Sequence, residues 1–143
     1  MKISTKGRYA LRMLVDLAEQ SDGQFVSLKD IAARQQLSKK YLEQIAPILT
    51  RGGMLKTNRG FQGGYKLAKP AEQVRVGDIL RLTEGSLAPV ACLEQSPNPC
   101  ERCSTCTTLF VWEGLGKIIA EYLDGITLRD IVDRQHSVWD FSI

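Results

Sequence analysis

The chain has 143 residues, of which 43% are hydrophobic and 24% charged, the make-up of one compact domain or of a small domain with an appendage. No uninterrupted apolar run exceeds four residues, and the start Met1-Lys2-Ile3-Ser4 has no apolar signal region; this argues against a membrane span or a secretory leader and predicts a cytoplasmic protein. The net charge of +3 conceals a division: residues 1–75 hold 14 Lys and Arg against 6 Asp and Glu, whereas 76–143 hold 5 against 10. One half suits a polyanion and the other does not. With His136 as the single histidine, acid–base and Asp-His-Ser chemistry have little to draw on, and a non-enzyme is expected.

In chain order, Ser4 or Thr5 can cap a first helix whose Tyr9, Ala10, Leu11, Met13, Leu14, Val15, Leu17 and Ala18 are too apolar for a surface helix. It should be buried and stop at Asp22-Gly23. A short extended piece, Phe25 and Val26, leads to Ser27, a cap for a helix that turns Leu28, Ile31 and Ala32 inward. After a connection at Leu37, Ser38 can cap a third helix with Leu42, Ile45, Ile48 and Leu49 at helical spacing. Two short amphipathic helices with a tight connection predict a helix-turn-helix. Pro47 is a local conflict, because it removes the hydrogen bond to the Glu43 carbonyl and costs about 3 kcal/mol in a regular helix; a kink or an early end is expected there.

Gly52-Gly53 should end that helix. Strand-like runs at 54–57 and 65–68 then flank a turn with three glycines and Arg59 at its tip, which predicts a hairpin wing. A short helix is expected at 76–82 and an irregular cysteine-bearing loop after it. From about Thr107 the pattern is helical again, with Leu109, Trp112, Leu115, Ile119 and Tyr122 three or four apart and Phe110, Val111, Ile118 and Leu123 widening the stripe. So apolar a helix should pack both on its own domain and on a second subunit. Asp124-Gly125 stops it, and Thr127 starts a last short helix, with His136 beyond it as surface decoration. The fold class is mainly α with a small β-hairpin wing: a winged helix-turn-helix domain at 1–85, a cysteine-bearing loop at 86–106, and a dimerisation helix plus C-terminal helix at 107–143.

Around the third helix, Ser38, Lys39, Lys40, Tyr41, Glu43 and Gln44 form the polar set that a recognition helix needs. Its first turn can meet base edges while the lysines neutralise phosphates. Glu43 can accept from a cytosine amine and Gln44 can pair an adenine edge. Arg59, beside Gly60 at the wing tip, suits a narrow minor groove.

Cys92, Cys100, Cys103 and Cys106 all fall within 15 residues. In a reducing cytosol such clustering argues for a metal or redox centre rather than structural disulfides. The Cys100-x-x-Cys103-x-x-Cys106 run with a more distant Cys92 looks like the bacterial ferredoxin arrangement for a 4Fe-4S cluster; four thiolates can equally hold 2Fe-2S or zinc, and thiol–disulfide sensing without metal is a further alternative. A ferredoxin-like electron carrier would share these cysteines but needs neither wing nor recognition helix.

The opening from Lys2 to Leu11, the run Tyr41-Leu42-Glu43-Gln44-Ile45 and the wing from Arg59 through Gly60, Phe61, Gln62, Gly63 and Gly64 to Tyr65 closely resemble the Rrf-type winged-helix transcription regulators, most of all those that govern iron-sulfur cluster assembly. The resemblance runs over nearly the whole chain, including the cysteine loop, the Trp112 helix and Ile126-Thr127-Leu128. It implies a homodimer crossed through the long helices on a pseudo-palindromic DNA operator, with DNA contacts at Ser38, Lys39, Lys40, Tyr41, Glu43 and Arg59. It also implies iron-sulfur ligands at Cys92, Cys100 and Cys106, and a 2Fe-2S cluster in preference to 4Fe-4S. Those regulators carry a histidine where this chain has Leu109, so Cys103 is the candidate fourth ligand. The function implied is a repressor of cluster-assembly genes that senses cluster or redox status; a cluster-free thiol-based or cysteine-metabolism repressor is the alternative within the family.

Overall fold

The computed structural model describes residues 1–20, 22–60 and 63–140, without the side chains of 139 and 140. The elements are α1 (Thr5–Glu19), α2 (Leu28–Gln35), α3 (Lys39–Arg51), β1 (Leu55–Asn58), β2 (Gly64–Leu67), α4 (Val76–Glu84), α5 (Leu109–Asp124) and α6 (Leu128–Asp140). Short 3-10 turns lie at Ala71–Gln73 and Ala91–Leu93.

The apolar first helix is indeed the centre of the molecule. Ala10, Met13, Leu14, Leu17 and Ala18 of α1 are buried, and α1 packs against α2, α3, α4, α6 and β2. Each large aliphatic chain sealed there contributes roughly 1.5–3 kcal/mol. Ser4 is the cap: its hydroxyl accepts from the Gly7 amide at 3.2 Å. Its own amide and hydroxyl donate to Glu84 at the end of α4, at 3.1 and 2.6 Å, so α4 is tied to the start of α1.

Helices α2 and α3 form the helix-turn-helix. Ser27 accepts from the Asp30 amide and Ser38 from the Tyr41 amide, each satisfying one orphan donor of a first turn. Between them Gln36 adopts a left-handed φ of 55°, and Leu37 drops into the core. The expected early end at Pro47 does not occur, because α3 continues to Arg51. Pro47 faces solvent while its neighbours Ala46 and Leu49 are buried, so core packing on both sides of the missing hydrogen bond outweighs its loss.

The hairpin is antiparallel with Leu55 opposite Leu67, Thr57 opposite Tyr65 and Asn58 opposite Gly64, shifted one residue toward the tip on both strands from the expected runs. The extended piece before α2 joins it: Val26 and Tyr65 exchange two backbone hydrogen bonds of 2.8 Å. Gly64 is obligatory at this junction, since a Cβ there would stand 2.3 Å from the Val26 carbonyl oxygen. The hairpin is thereby fixed at its base to the start of the helix-turn-helix.

The C-terminal helices differ in kind. Helix α6 is longer than expected and contains His136, which is exposed within it; its Leu128 and Val132 belong to the main core. Helix α5 has no buried residue at all. Its inner edge, Ile119 and Leu123, packs on Val76, Leu80 and Leu87, and the Arg81 guanidinium clamps Asp124 at its end with hydrogen bonds of 2.8 and 2.9 Å.

Candidate nucleic-acid interface and cysteine loop

The start of α3 presents one continuous polar face. Ser38, Lys39, Lys40, Glu43, Gln44 and Pro47 are exposed, whereas Leu42, Ile45, Ala46 and Leu49 are buried, so helical periodicity alone turns the predicted reading residues outward. Lys39 and Glu43 approach to 3.8 Å in an i,i+4 pair, a contact worth only a few tenths of a kcal/mol at the surface and readily exchanged for another partner. Tyr41 is placed differently from its neighbours. Its ring lies half-buried at 5.3 Å and 77° to the Tyr9 ring, over which the Arg12 guanidinium sits at 5.7 Å. Tyr41 thus joins the α1 basic face to the start of α3.

At the hairpin tip Arg59 and Gly60 are exposed. Gly60 has φ +122°, a backbone state that L side chains rarely adopt, and its carbonyl accepts from the Gly63 amide at 2.9 Å. Phe61 and Gln62, part of the expected wing, lie outside the described residues.

Most cations of the basic half stand without an ion pair among the described residues. Among the described residues, Lys2, Lys6, Arg8, Arg12, Lys40, Lys56 and Arg59 have no carboxylate within salt-bridge reach, and Arg34, Lys39 and Arg75 are paired in the same half; in the other half Arg81, Lys117 and Arg129 are paired and Arg102 and Arg134 are not. The cations of α1 and the hairpin, with Lys40 of α3, therefore carry charge that no carboxylate of the described residues offsets by an ion pair.

Sequence reading passed over the group that ties α2 to α1. Asp16, 1% exposed in the apolar run of α1, accepts from Arg34 Nε and a second guanidinium nitrogen at 3.0 and 2.8 Å and from Gln35 Nε2 at 3.1 Å. Arg12 donates to the Gln35 carbonyl. Three side-chain donors satisfy the buried carboxylate, as burial of a charge demands. They also fasten the last turn of α2 to α1. The signal was present in the sequence: a lone acid among buried positions requires a cationic partner.

In the cysteine loop all four thiols are free; Cys92 and Cys103 are half-buried, Cys100 and Cys106 exposed. Cys92 sits in the Ala91–Leu93 turn, and a tight turn closes with the Cys103 amide on the Cys100 carbonyl at 3.2 Å. Cys106 lies 3.6 Å from the Thr108 hydroxyl, which, with the amides of Thr108 and Leu109, pushes its thiol below the usual range. Among the described residues, no group of three or more Cys, His, Asp or Glu converges as a metal site, so the expected ligands are not brought together. The donor set nevertheless fits a thiolate-held cluster in kind. The loop also holds Asn98, whose oxygen accepts from the Cys100 amide at 2.8 Å while its buried side-chain nitrogen has no partner, leaving a spare donor beside the cysteines.

This architecture has close counterparts. Residues 3–134 match the family described as Rrf2, iron-dependent transcriptional regulator. The chain is 41% identical over 132 residues to the protein named rrf2 of Nitratidesulfovibrio vulgaris, covering 92% of this chain and 87% of that one. Among solved structures it superposes on CymR, the global cysteine regulator of Bacillus subtilis, with a TM-score of 0.76 at 36% identity, covering 94% and 98% of the two chains. It superposes on IscR of T. potens with a TM-score of 0.75 at 41% identity, covering 94% and 88%. With a capped helix-turn-helix, a hairpin wing and this coverage, the chain belongs to the Rrf2 family of transcriptional regulators.

Proposed function

We propose that the protein is a homodimeric DNA-binding regulator, working in the cytoplasm, that reads a pseudo-palindromic operator. The observation that carries the proposal is the outward face of α3, capped at Ser38, in a body whose α1 and hairpin cations and Lys40 have no ion pair among the described residues and whose Lys39 makes only an exposed pair with Glu43. Lys39 and Lys40 would neutralise phosphates, Glu43 and Gln44 would read base edges, and Arg59 with Gly60 would enter the minor groove. Tyr41 and Ser38 support that face, one by packing on Tyr9 and one by capping the helix. The second copy would cover α5. Val111, Leu115, Ile118 and Tyr122, exposed at 4-3-4 spacing, make the seam of a left-handed helix pair.

The regulatory input is assigned to the cysteine loop. Cys92, Cys100 and Cys106 would hold an iron-sulfur cluster, 2Fe-2S in preference to 4Fe-4S, with Cys103 as fourth ligand because Leu109 offers no donor. When bound, such a cluster supplies a redox- and oxygen-sensitive ligand. The loop leads directly into α5, so drawing the four thiols together would reposition the start of the dimer helix; a bias of about 1–3 kcal/mol suffices to change DNA occupancy several-fold. Control of iron-sulfur assembly genes is the physiological role this reading supports. A cluster-free thiol switch, of the kind a cysteine regulator would use, is favoured by a different observation: the lowered Cys106 thiol in a loop whose cysteines do not converge.

Two measurements test these readings. Anaerobic purification with an absorption spectrum and iron and sulfide counts separates iron-sulfur, zinc and bare thiol in one sample. Selection from random DNA should return two half-sites about one helical turn, or a multiple of it, apart. Recovery of no enriched sequence would overturn the DNA reading, whatever the metal content.

A further inference from the structure

A cleft of about 440 Å³ opens at the far end of α1 from the DNA-reading face, between Leu17 and Ala18, the exit of β2 and the start of α6. Its volume is in the range of small-molecule sites. The floor is apolar, with Leu17, Ala18 and Ala71 buried and Pro70 beside them. Three cations, Lys66, Lys69 and Arg129, stand around it against one acid, Glu72. The acid is already neutralised: Arg129 Nε donates to it at 3.0 Å. Lys66 is steadied by its ammonium resting 4.7 Å over the Phe25 ring, whereas no carboxylate lies within reach of Lys66 or Lys69 among the described residues.

The cleft does not serve the proposed recognition face. That face begins beside Tyr9, and Leu17 to Gln20 lie roughly 12–17 Å further along the α1 axis at 1.5 Å per residue. A sugar-phosphate backbone also gains nothing from a concave apolar floor. We propose that the cleft is a binding site for a small carboxylic acid with a short apolar tail, its carboxylate on Lys69 and Lys66 and its tail over Leu17, Ala18 and Pro70. A ligand there touches the exit of β2, the strand whose other end carries the wing.

The test uses the full-length protein without DNA, so its outcome is independent of the operator reading. Backbone amide NMR is recorded during titration with 4-methylvalerate, with 4-methyl-1-pentanol as the tail without charge and inorganic phosphate as the charge without tail. The expected result is saturable shifts at Ala18, Ala68, Lys69 and Ala71 with 4-methylvalerate alone, in the roughly millimolar range of so small a ligand. Binding should weaken several-fold in Lys69→Gln and vanish in Lys69→Glu, both at an exposed position that leaves the fold intact. Equal response to phosphate or to the alcohol, shifts that never saturate, or affinity unchanged in Lys69→Glu would each overturn the proposal.

Discussion

The body formed by α1 to α4 and α6 and the arm formed by the cysteine loop and α5 are built on opposite rules. The body hides its apolar side chains around α1 and α4 and, among the described residues, leaves the cations of α1 and the hairpin without ion pairs. The arm pairs its lysine and leaves its apolar side chains in the open: Phe110 is 73% exposed, Ile118 64% and Tyr122 68%. A surface of this kind is stable only when something covers it. The contrast is what the proposed function uses: DNA on the basic face of the body and a second copy on the apolar face of the arm.

The strongest way to break the comparison is to make the arm resemble the body. Ile118→Glu places a charge in the middle of the exposed seam without touching the core. We expect a folded monomer by sedimentation, with circular dichroism unchanged and operator affinity lower by at least about a hundredfold, since two half-sites no longer bind as one unit. A wild-type monomer at micromolar concentration would remove the premise. Ile119, which the sequence suggested as a seam residue, is unsuitable for the test, because it packs on Val76, Leu80 and Leu87 of its own chain.

The next largest effect belongs to the body. Asp16→Ala deletes the acceptor of three hydrogen bonds and strands Arg34, although Arg34 is partly exposed and can reach water. A loss of about 2–3 kcal/mol in urea unfolding is expected. Affinity for the operator should fall more than affinity for random DNA, because the network orients α2 and α3 rather than supplying charge. Equal loss on both DNAs would mean that Asp16 only stabilises the fold.

Smaller effects sharpen the assignment of the DNA face. Arg59→Ala should reduce operator affinity by about fivefold, near 1 kcal/mol, and lower the log-log salt slope by about one unit. Glu43→Ala should instead relax base preference at one position per half-site while leaving the salt slope nearly unchanged. If selection from random DNA returns the wild-type sequence for Glu43→Ala, the face of α3 that meets the bases has been misassigned.

Local signals carried most of the body. Serines 4, 27 and 38 cap the helices they were expected to cap, because capping is a contact over three residues. The wing was legible for the same reason, to within a one-residue shift of both strands toward the tip. What escaped depends on contacts distant in sequence. Asp16 meets Arg34 across 18 residues, and the persistence of α3 through Pro47 is enforced by the core. The four cysteines were visible as a set, but a ligand geometry is a property of a loop whose shape no short pattern dictates. The inner and outer edges of α5 were likewise indistinguishable by hydropathy, since both are apolar.

The smallest expected effect lies at the joint between body and arm. Asp124, at the end of α5, is held below the usual carboxylate range chiefly by the hydrogen bonds from Arg81 on α4. Its pKa is therefore lower in the folded protein than in the unfolded chain, where it is about 3.9. The stabilisation this provides is fully present above the unfolded value and is lost as pH falls through the folded one. Arg81 and Asp124 are both partly exposed, so solvent screening keeps the contribution below about 1 kcal/mol. Asp124→Asn should lower the unfolding midpoint slightly at pH 7, and the gap from wild type should narrow as pH falls below about 4 and the wild-type carboxylate protonates. Hydrogen exchange at the last turn of α5 should rise in parallel at neutral pH. A gap that stays constant down to pH 2 would show that shape, not charge, makes this joint, and the arm would then be fixed to the body by Leu123 and Ile119 alone.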